Sequence, residues 1–246
     1  MFTLIVPTYN SELYFNNLKN DLLSQTYKDF KCIFIDDCST DNTIKLINDL
    51  ISIDNRFTVL SSSKNTGSPS YARNLGIKLA DTEWIIFIDD DDRFDCSLLQ
   101  DAYNIITSNP NISGLSQSDG YHKTIHGHFY RKSIIDKYNI MFPTADDYSS
   151  MITSEVYPSR YAILEDLYFT QIYYSFAGYS EEIKNHVHHI VNKDSITKLN
   201  NSKQIPIYFR PELRKFSDKW IKYQIANYLY KYTDEFKVTK KLKEFL

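Results

Sequence analysis

Trp84-Ile85-Ile86-Phe87-Ile88-Asp89-Asp90-Asp91-Asp92 is an apolar run of five that ends in four consecutive carboxylates. β-Branched and aromatic residues in so short a run predict a buried strand, and the acids begin where that strand should emerge into solvent. Four adjacent like charges repel one another, so a folded chain avoids them unless something positive is normally present. A hard divalent cation such as Mg²⁺ or Mn²⁺ takes oxygen ligands and often binds through one or two carboxylates plus the phosphates of a substrate. Taken alone, the same cluster reads equally well as an acidic surface turn, so its neighbours decide.

Upstream, residues 2–6 predict a short strand stopped by Pro7, which lacks a ladder donor. Ser11 is placed to cap a helix over 12–24, with Leu13, Leu18, Leu22 and Leu23 at helical spacing. Cys32-Ile33-Phe34-Ile35 is a second buried strand, and it too ends in acids, Asp36-Asp37. A helix follows near 42–53 with Ile44, Ile47 and Ile51 in step. Phe57-Thr58-Val59-Leu60 is a third strand, and a helix over about 71–80 turns Ala72, Leu75 and Leu79 inward. Strands and helices alternating at these distances imply parallel strands with right-handed crossovers, an open α/β sheet. In such sheets ligands bind beyond the carboxyl ends of the strands. Pro7-Thr8-Tyr9, Asp36-Asp37, the 64–74 loop and Asp89–Asp92 should therefore share one rim. A dinucleotide fold fits poorly, because no glycine-rich turn follows the first strand.

Downstream, a helix is expected over 96–107, then irregular chain from 109 to 128, a short helix after Phe129–Ser133, and a turn-rich stretch over 139–161. Ile163-Leu164-Glu165-Asp166-Leu167-Tyr168-Phe169 opens another helix. Its acids lie in the first turn, where the helix dipole favours their charged form and where simple capping is the competing role. In a strand, His186 and His188 would share one face and His189 the other. Without cysteine or acidic partners these histidines give a weak zinc signal, and packing or hydrogen bonding is the expected role of each. Pro211 opens an amphipathic helix over 209–232, with Leu213, Phe216, Trp220, Tyr223, Ile225 and Leu229 apolar.

The 246 residues are enough for one large α/β domain with a small appendage, and the composition, 42% hydrophobic and 24% charged, is ordinary for a globular chain. A net charge of −3 gives no basic excess for nucleic acid, which is not an expected partner. Residues 203–246 differ, with 11 Lys or Arg against 5 Asp or Glu, a surface for peripheral membrane contact or for a homo-oligomer. Cys32, Cys38 and Cys96 form no disulfide framework. With no signal-like start and no run near the ~20 apolar residues of a span, the expected location is cytoplasmic, with the inner face of a membrane as a peripheral site.

Six pieces in order resemble GT-A fold, inverting family 2 nucleotide-sugar glycosyltransferases: Leu4–Asn10, Ile35–Asp41, Asn65-Thr66-Gly67, Ala72–Ile77, Phe87–Asp92 and Glu165-Asp166. The resemblance covers about residues 1–198. It implies a Rossmann-like, mostly parallel open sheet flanked by helices over 1–200, with a nucleotide-binding half (1–100), an acceptor half (101–200) and a small helical C-terminal extension (201–246). It implies transfer of a sugar from a nucleoside-diphosphate sugar, UDP the expected nucleotide, to a hydroxyl of a saccharide or glycan precursor, with Mn²⁺ or Mg²⁺ as cofactor.

By the same resemblance Pro7, Thr8 and Tyr9 seat the base and Asp37 or Asp36 reads its edge. Asn65, Arg73, Asp89 and Asp90 join the donor site, with Arg73 either touching substrate or holding the acidic loop. Asp91 is the favoured metal ligand, with His189 a candidate second. Asp166 is the catalytic base, and Asp92, His128 and Glu165 are auxiliary or acceptor-side candidates. Relatives commonly carry a small residue at the middle of Asp-x-Asp, so Asp90 leaves the ligand register open within Asp89–Asp92. Two other readings compete. A nucleotidyltransferase would need a glycine-rich, lysine-containing loop after the first strand, which is not visible. A non-catalytic nucleotide-sugar-binding scaffold would need a degenerate cleft.

Overall fold

Alternating strand and helix builds β1 (Phe2–Thr8), α1 (Glu12–Ser24), β2 (Phe30–Asp36), α2 (Thr43–Ile53), β3 (Phe57–Ser61), α3 (Pro69–Leu79) and β4 (Trp84–Phe87) in a computed structural model. A second half follows: β5 (Arg93–Phe94), α4 (Leu98–Ser108), β6 (Gly114–Gln117), β7 (Phe129–Arg131), α5 (Lys132–Tyr138), α6 (Ala162–Phe176), β8 (Ser180–Ile183) and β9 (Val187–His188). The structure describes residues 1–117, 125, 127–143, 162–177, 180–184 and 186–188. All of these fall within the unit Met1–Ile190. Most of the 139–161 stretch, His189 and the expected helices beyond residue 200 lie outside the described residues.

Seven strands form one sheet in the order β3-β2-β1-β4-β7-β6-β8, with β5 and β9 pairing as a separate ribbon. β3, β2, β1 and β4 run parallel. β7 is antiparallel to both β4 and β6, while β6 and β8 are parallel. This is the mostly parallel open sheet flanked by helices that the family resemblance implied. The strands are apolar on both faces because helices cover both. One face carries Phe2, Leu4, Val6, Cys32, Phe34, Trp84 and Ile86 against Phe15, Leu18 and Leu22 of α1 and Leu98, Leu99 and Ala102 of α4. On the other, Ile33 and Ile35 meet Ala72 of α3.

Three local expectations are corrected. β1 does not stop at Pro7 but pairs with β2 through Thr8↔Asp36. Proline is tolerated there because its nitrogen points toward β4, where the ladder has ended at Ile5↔Phe87. Ser11 precedes α1 without capping it through its side chain; the Glu12 N–H instead donates to Asp41 Oδ2 at 3.1 Å. Leu13 and Leu79 face solvent, 82% and 46% exposed, and Phe15 and Ile77 take the inward positions. The rest of the expected stripe holds, with Leu18, Leu22 and Ala72 buried.

α3 lies so close to β1 that residue 76 must be glycine. A Cβ there would sit 2.3 Å from Ile5 Cγ2. Gly76→Ala gains about 1 kcal/mol of helix propensity, but forced overpacking in a close-packed core costs typically 1–3 kcal/mol. Urea denaturation should show a net loss of stability; a midpoint equal to or above the parent's would refute this account of the contact.

Candidate active site

The carboxyl ends of β1, β2 and β4 and the start of α3 lie on one rim, and a single buried cation ties that rim to α6. Arg73, 3% exposed, projects from α3. Its Nη1 donates to Glu165 Oε1 at 2.8 Å and to Asp166 Oδ1 at 2.9 Å, and its Nη2 donates to Asp89 Oδ1 at 3.0 Å. Three carboxylates from two distant stretches thus converge on one guanidinium, whose planar fork serves several acceptors at once. Burial alone would depress the Arg73 pKa, but Asp166, Asp89 and Glu165 outweigh it and hold the group charged.

Glu165 closes the first turn of α6 and Asp166, expected in that turn too, follows it, and the two sit in different surroundings. Glu165 is 2% exposed and also accepts a hydrogen bond from Ser70 Oγ. Burial, reinforced by Asp166 and only partly offset by Arg73, pushes its pKa upward. The Asp166 side chain is 15% exposed, so the more accessible carboxylate of the pair is the one resembling the base. Both acids reach back to α3, which exceeds what capping α6 requires.

The four consecutive acids separate into different roles. Asp89 pairs with Arg73. Asp90 accepts from Ser11 Oγ and from the Tyr9 backbone, so it braces the turn between β1 and α1. Burial, then its charged neighbours Asp89 and Asp91, push the Asp90 pKa up to about 7. Asp91 is half-buried at the rim, and Asp92 is buried, its N–H 3.3 Å from Asp89 O in a tight turn. Among the described residues no three His, Cys, Asp or Glu side chains converge as a metal cage.

The second pair of acids also divides. Asp37 accepts from the Thr66 N–H at 2.9 and 3.0 Å and from the Gly67 N–H at 3.1 Å. The Gly67 N–H also reaches Asn65 Oδ1 at 2.8 Å. Gly67 has φ +69°, a left-handed turn that glycine adopts without strain. Asp36 accepts from the Ser39 N–H at 3.1 Å and lies opposite Thr8, both buried. Tyr9 stands well out of the first turn, 50% exposed.

Asn74 went without a role in the sequence. Its amide donates to Phe142 O at 2.8 Å and accepts from the Phe142 N–H at 2.7 Å. The Phe142 ring stacks on Phe169 of α6, centroids 4.1 Å apart and 4° from parallel. Ser70 likewise went unnoticed, since nothing in a lone serine announces a partner 95 residues away.

His128 is 1% exposed and packs among aromatic rings, stacked on Tyr130 and edge-on to Tyr174. His186 and His188 do find acidic partners, Asp95 at 3.2 and 3.0 Å, and His186 Nε2 lies 3.2 Å from Asp101. These contacts fasten β9 beside α4.

The model of the family described as glycosyl transferase family 2 matches residues 3–154. The chain belongs to that family. A curated relative, the poly(ribitol-phosphate) β-N-acetylglucosaminyltransferase TarS of Staphylococcus aureus, is 38% identical over 103 residues. That stretch is 41% of this chain and only 18% of TarS. A crystal structure of TarS in complex with UDP superposes with a TM-score of 0.64 at 23% identity, over 95% of this chain and 72% of that one. A mannosyltransferase from Pyrobaculum calidifontis, crystallised with GDP-Man and Mn²⁺, gives 0.62 at 17% identity, over 93% and 71%. These likenesses establish the family 2 fold, the Rossmann-like GT-A arrangement.

Proposed function

We propose that this family 2 chain is an inverting glycosyltransferase that moves a sugar from a UDP-linked donor to a hydroxyl of a saccharide or glycan precursor. The observation that carries the reading is the Arg73 hub, which holds Asp89 at the end of β4 beside Asp166 at the start of α6. A donor diphosphate on the strand rim and an acceptor hydroxyl at α6 would thereby meet. TarS and its UDP complex support the choice of nucleotide.

In this reading Tyr9 and the Asp36–Asp37 turn receive the base, with Asp37 holding the 65–67 turn against it. Asp166 accepts the proton of the acceptor hydroxyl as that oxygen bonds to the anomeric carbon. The bond from that carbon to the diphosphate breaks, and its electron pair leaves with the phosphate oxygen. One base and one displacement invert the configuration; no second carboxylate nucleophile is needed. Glu165, buried and tied to Ser70 and Arg73, orients Asp166 and does not replace it.

Mg²⁺ or Mn²⁺ typically binds through one or two protein carboxylates together with substrate phosphates. The all-oxygen donor set here fits such an ion better than a softer one. Asp91, at the rim and outside the Arg73 hub, would hold it, with Asp92 in support. When bound, the ion would supply positive charge at the leaving diphosphate.

The test is thermal unfolding with UDP-, GDP- and TDP-sugars, with and without Mn²⁺. A ligand at about 100 times its Kd stabilises the folded state by ~2.7 kcal/mol, so UDP-sugar plus Mn²⁺ should raise the midpoint, and Asp91→Asn should abolish the metal-dependent part. If no nucleotide sugar shifts the midpoint under any condition, the transferase reading fails.

A further inference from the structure

Ser70 and Arg73 stand three residues apart on α3, so they share one face of that helix. Together they hold the two oxygens of one carboxylate. Arg73 Nη1 donates to Glu165 Oε1 at 2.8 Å, and Ser70 Oγ donates to Glu165 Oε2. Ser70 is buried, and its place is set locally. Ser68 caps α3 by accepting from the Ser70 N–H at 3.3 Å, and Pro69 in the first turn has a fixed φ suited to a helix start. The Ser68 hydroxyl lies 3.5 Å from the same Oε2, beyond the ordinary length of an O–H···O bond. The close grip on that oxygen is therefore Ser70's.

A hydroxyl donating into a carboxylate favours its charged form. Facing Glu165 are Arg73 of α3, Asp166 of its own helix and Asp89 beyond β4. Burial raises the Glu165 pKa and Arg73 opposes it; Asp166 raises it, Ser70 lowers it, and Asp89 raises it again. Arg73 is divided among three acids, whereas the Ser70 hydroxyl goes to Glu165. The repulsion between Glu165 and Asp166 is mutual, and both accept from the same Nη1. An ionised Glu165 thus draws on the positive charge that would otherwise settle on Asp166, and strengthens the hold of Asp166 on a proton. A carboxylate that holds a proton more tightly is the better general base. Once Glu165 is protonated, Arg73 is left to Asp166 and that base weakens.

We infer that Ser70 is a positioning residue for the transfer step: its hydroxyl holds Glu165 ionised, and the ionised Glu165 competes for Arg73 and keeps Asp166 a strong base. The inference rests on the transferase reading, in which Asp166 takes the acceptor proton. Its test sets Ser70→Ala and Ser70→Cys, the second of nearly parental volume with a weak donor, against Ser70→Thr, which keeps the hydroxyl. Urea unfolding of the full chain is followed from pH 5 to pH 9. A folded-state pKa raised above the unfolded value loses stability as pH climbs through it, and removal of the donor raises that of Glu165 further. The folding equilibrium constants of the Ala and Cys variants should therefore fall behind the parent's with rising pH, by about tenfold or more beyond any deficit at pH 5. The Thr variant should keep the parent's pH dependence. Turnover is read as UDP released from UDP-N-acetylglucosamine or UDP-glucose, with water as acceptor. Relative to the parent, kcat of the Ala and Cys variants should be lowest near pH 7 and recover as pH rises and Glu165 ionises without help. A deficit in stability that does not change with pH, a Thr variant with the same pH slope as the Ala variant, or parental kcat at pH 7 without the hydroxyl would each overturn the inference. No UDP release by the parent from either donor would sink the transferase reading instead, and the urea profiles would still decide whether Ser70 holds Glu165 ionised.

Discussion

Replacing Asp166 by Asn should lower kcat by roughly 10²–10⁴-fold, the usual worth of a positioned general base, while leaving UDP affinity and the unfolding midpoint near the parent's. Asparagine keeps the shape of the side chain and an oxygen for the Arg73 Nη1 contact of 2.9 Å, so the hub survives and the proton acceptor does not. The effect should fall on kcat, because the lost interaction forms only as the acceptor hydroxyl gives up its proton. Glu165→Gln separates the two acids. It removes a charge that touches Ser70 and Arg73 in the interior, so its effect should be the smaller one on turnover. Parental turnover by the Asp166→Asn enzyme, or a greater kcat loss in the Glu165→Gln enzyme, would reverse the assignment of base and support.

Arg73→Met should be the most destabilising single change in the site, about 3–5 kcal/mol at neutral pH, the cost of stranding buried charges when one partner is removed. Asp89, Glu165 and Asp166 would face one another without their common counter-ion. The deficit should depend on pH in a definite direction. Burial already raises the Glu165 pKa, and Arg73 is the main influence lowering it, so the variant's Glu165 pKa rises further. A folded-state pKa above the unfolded value favours folding at low pH and loses that contribution as pH climbs through it. The gap between parent and variant should therefore be widest near pH 8 and narrow toward pH 5, as measured by urea midpoints across that range. A gap that is constant or grows on acidification would show that the hub is not holding charged carboxylates together.

Much of the fold was legible because period and punctuation carried it. Short strands of four or five residues, two of them ending in acids, helices between them, and the absence of a glycine-rich first turn were enough for a parallel sheet with its ligands at the carboxyl rim. The Pro7 misreading has a topological cause: whether a proline breaks a ladder depends on which neighbour its nitrogen faces, and the sequence does not say where β4 ends. Leu13 and Leu79 were misplaced because a leucine at helical spacing is apolar whether or not a neighbour covers it. In the site, motif residues such as Asp89, Arg73 and Asp166 could be named but not connected. Asp90 could not be told from its neighbours until Ser11 was seen to hold it. Partnerships spanning 68 to 95 residues, Asn74 with Phe142 and Ser70 with Glu165, leave no periodic trace in a single chain.

The grip of Asn74 on the Phe142 backbone makes α3 the common anchor of two distant stretches of chain. Chain entering the span 144–161 leaves from a point fixed by two hydrogen bonds, and chain returning from it meets Ser70 and Arg73 within five residues of residue 161. Both ends are moored to one helix, α3. Asp166 thus keeps its station through Arg73 and α3, by contacts that lie wholly outside that span.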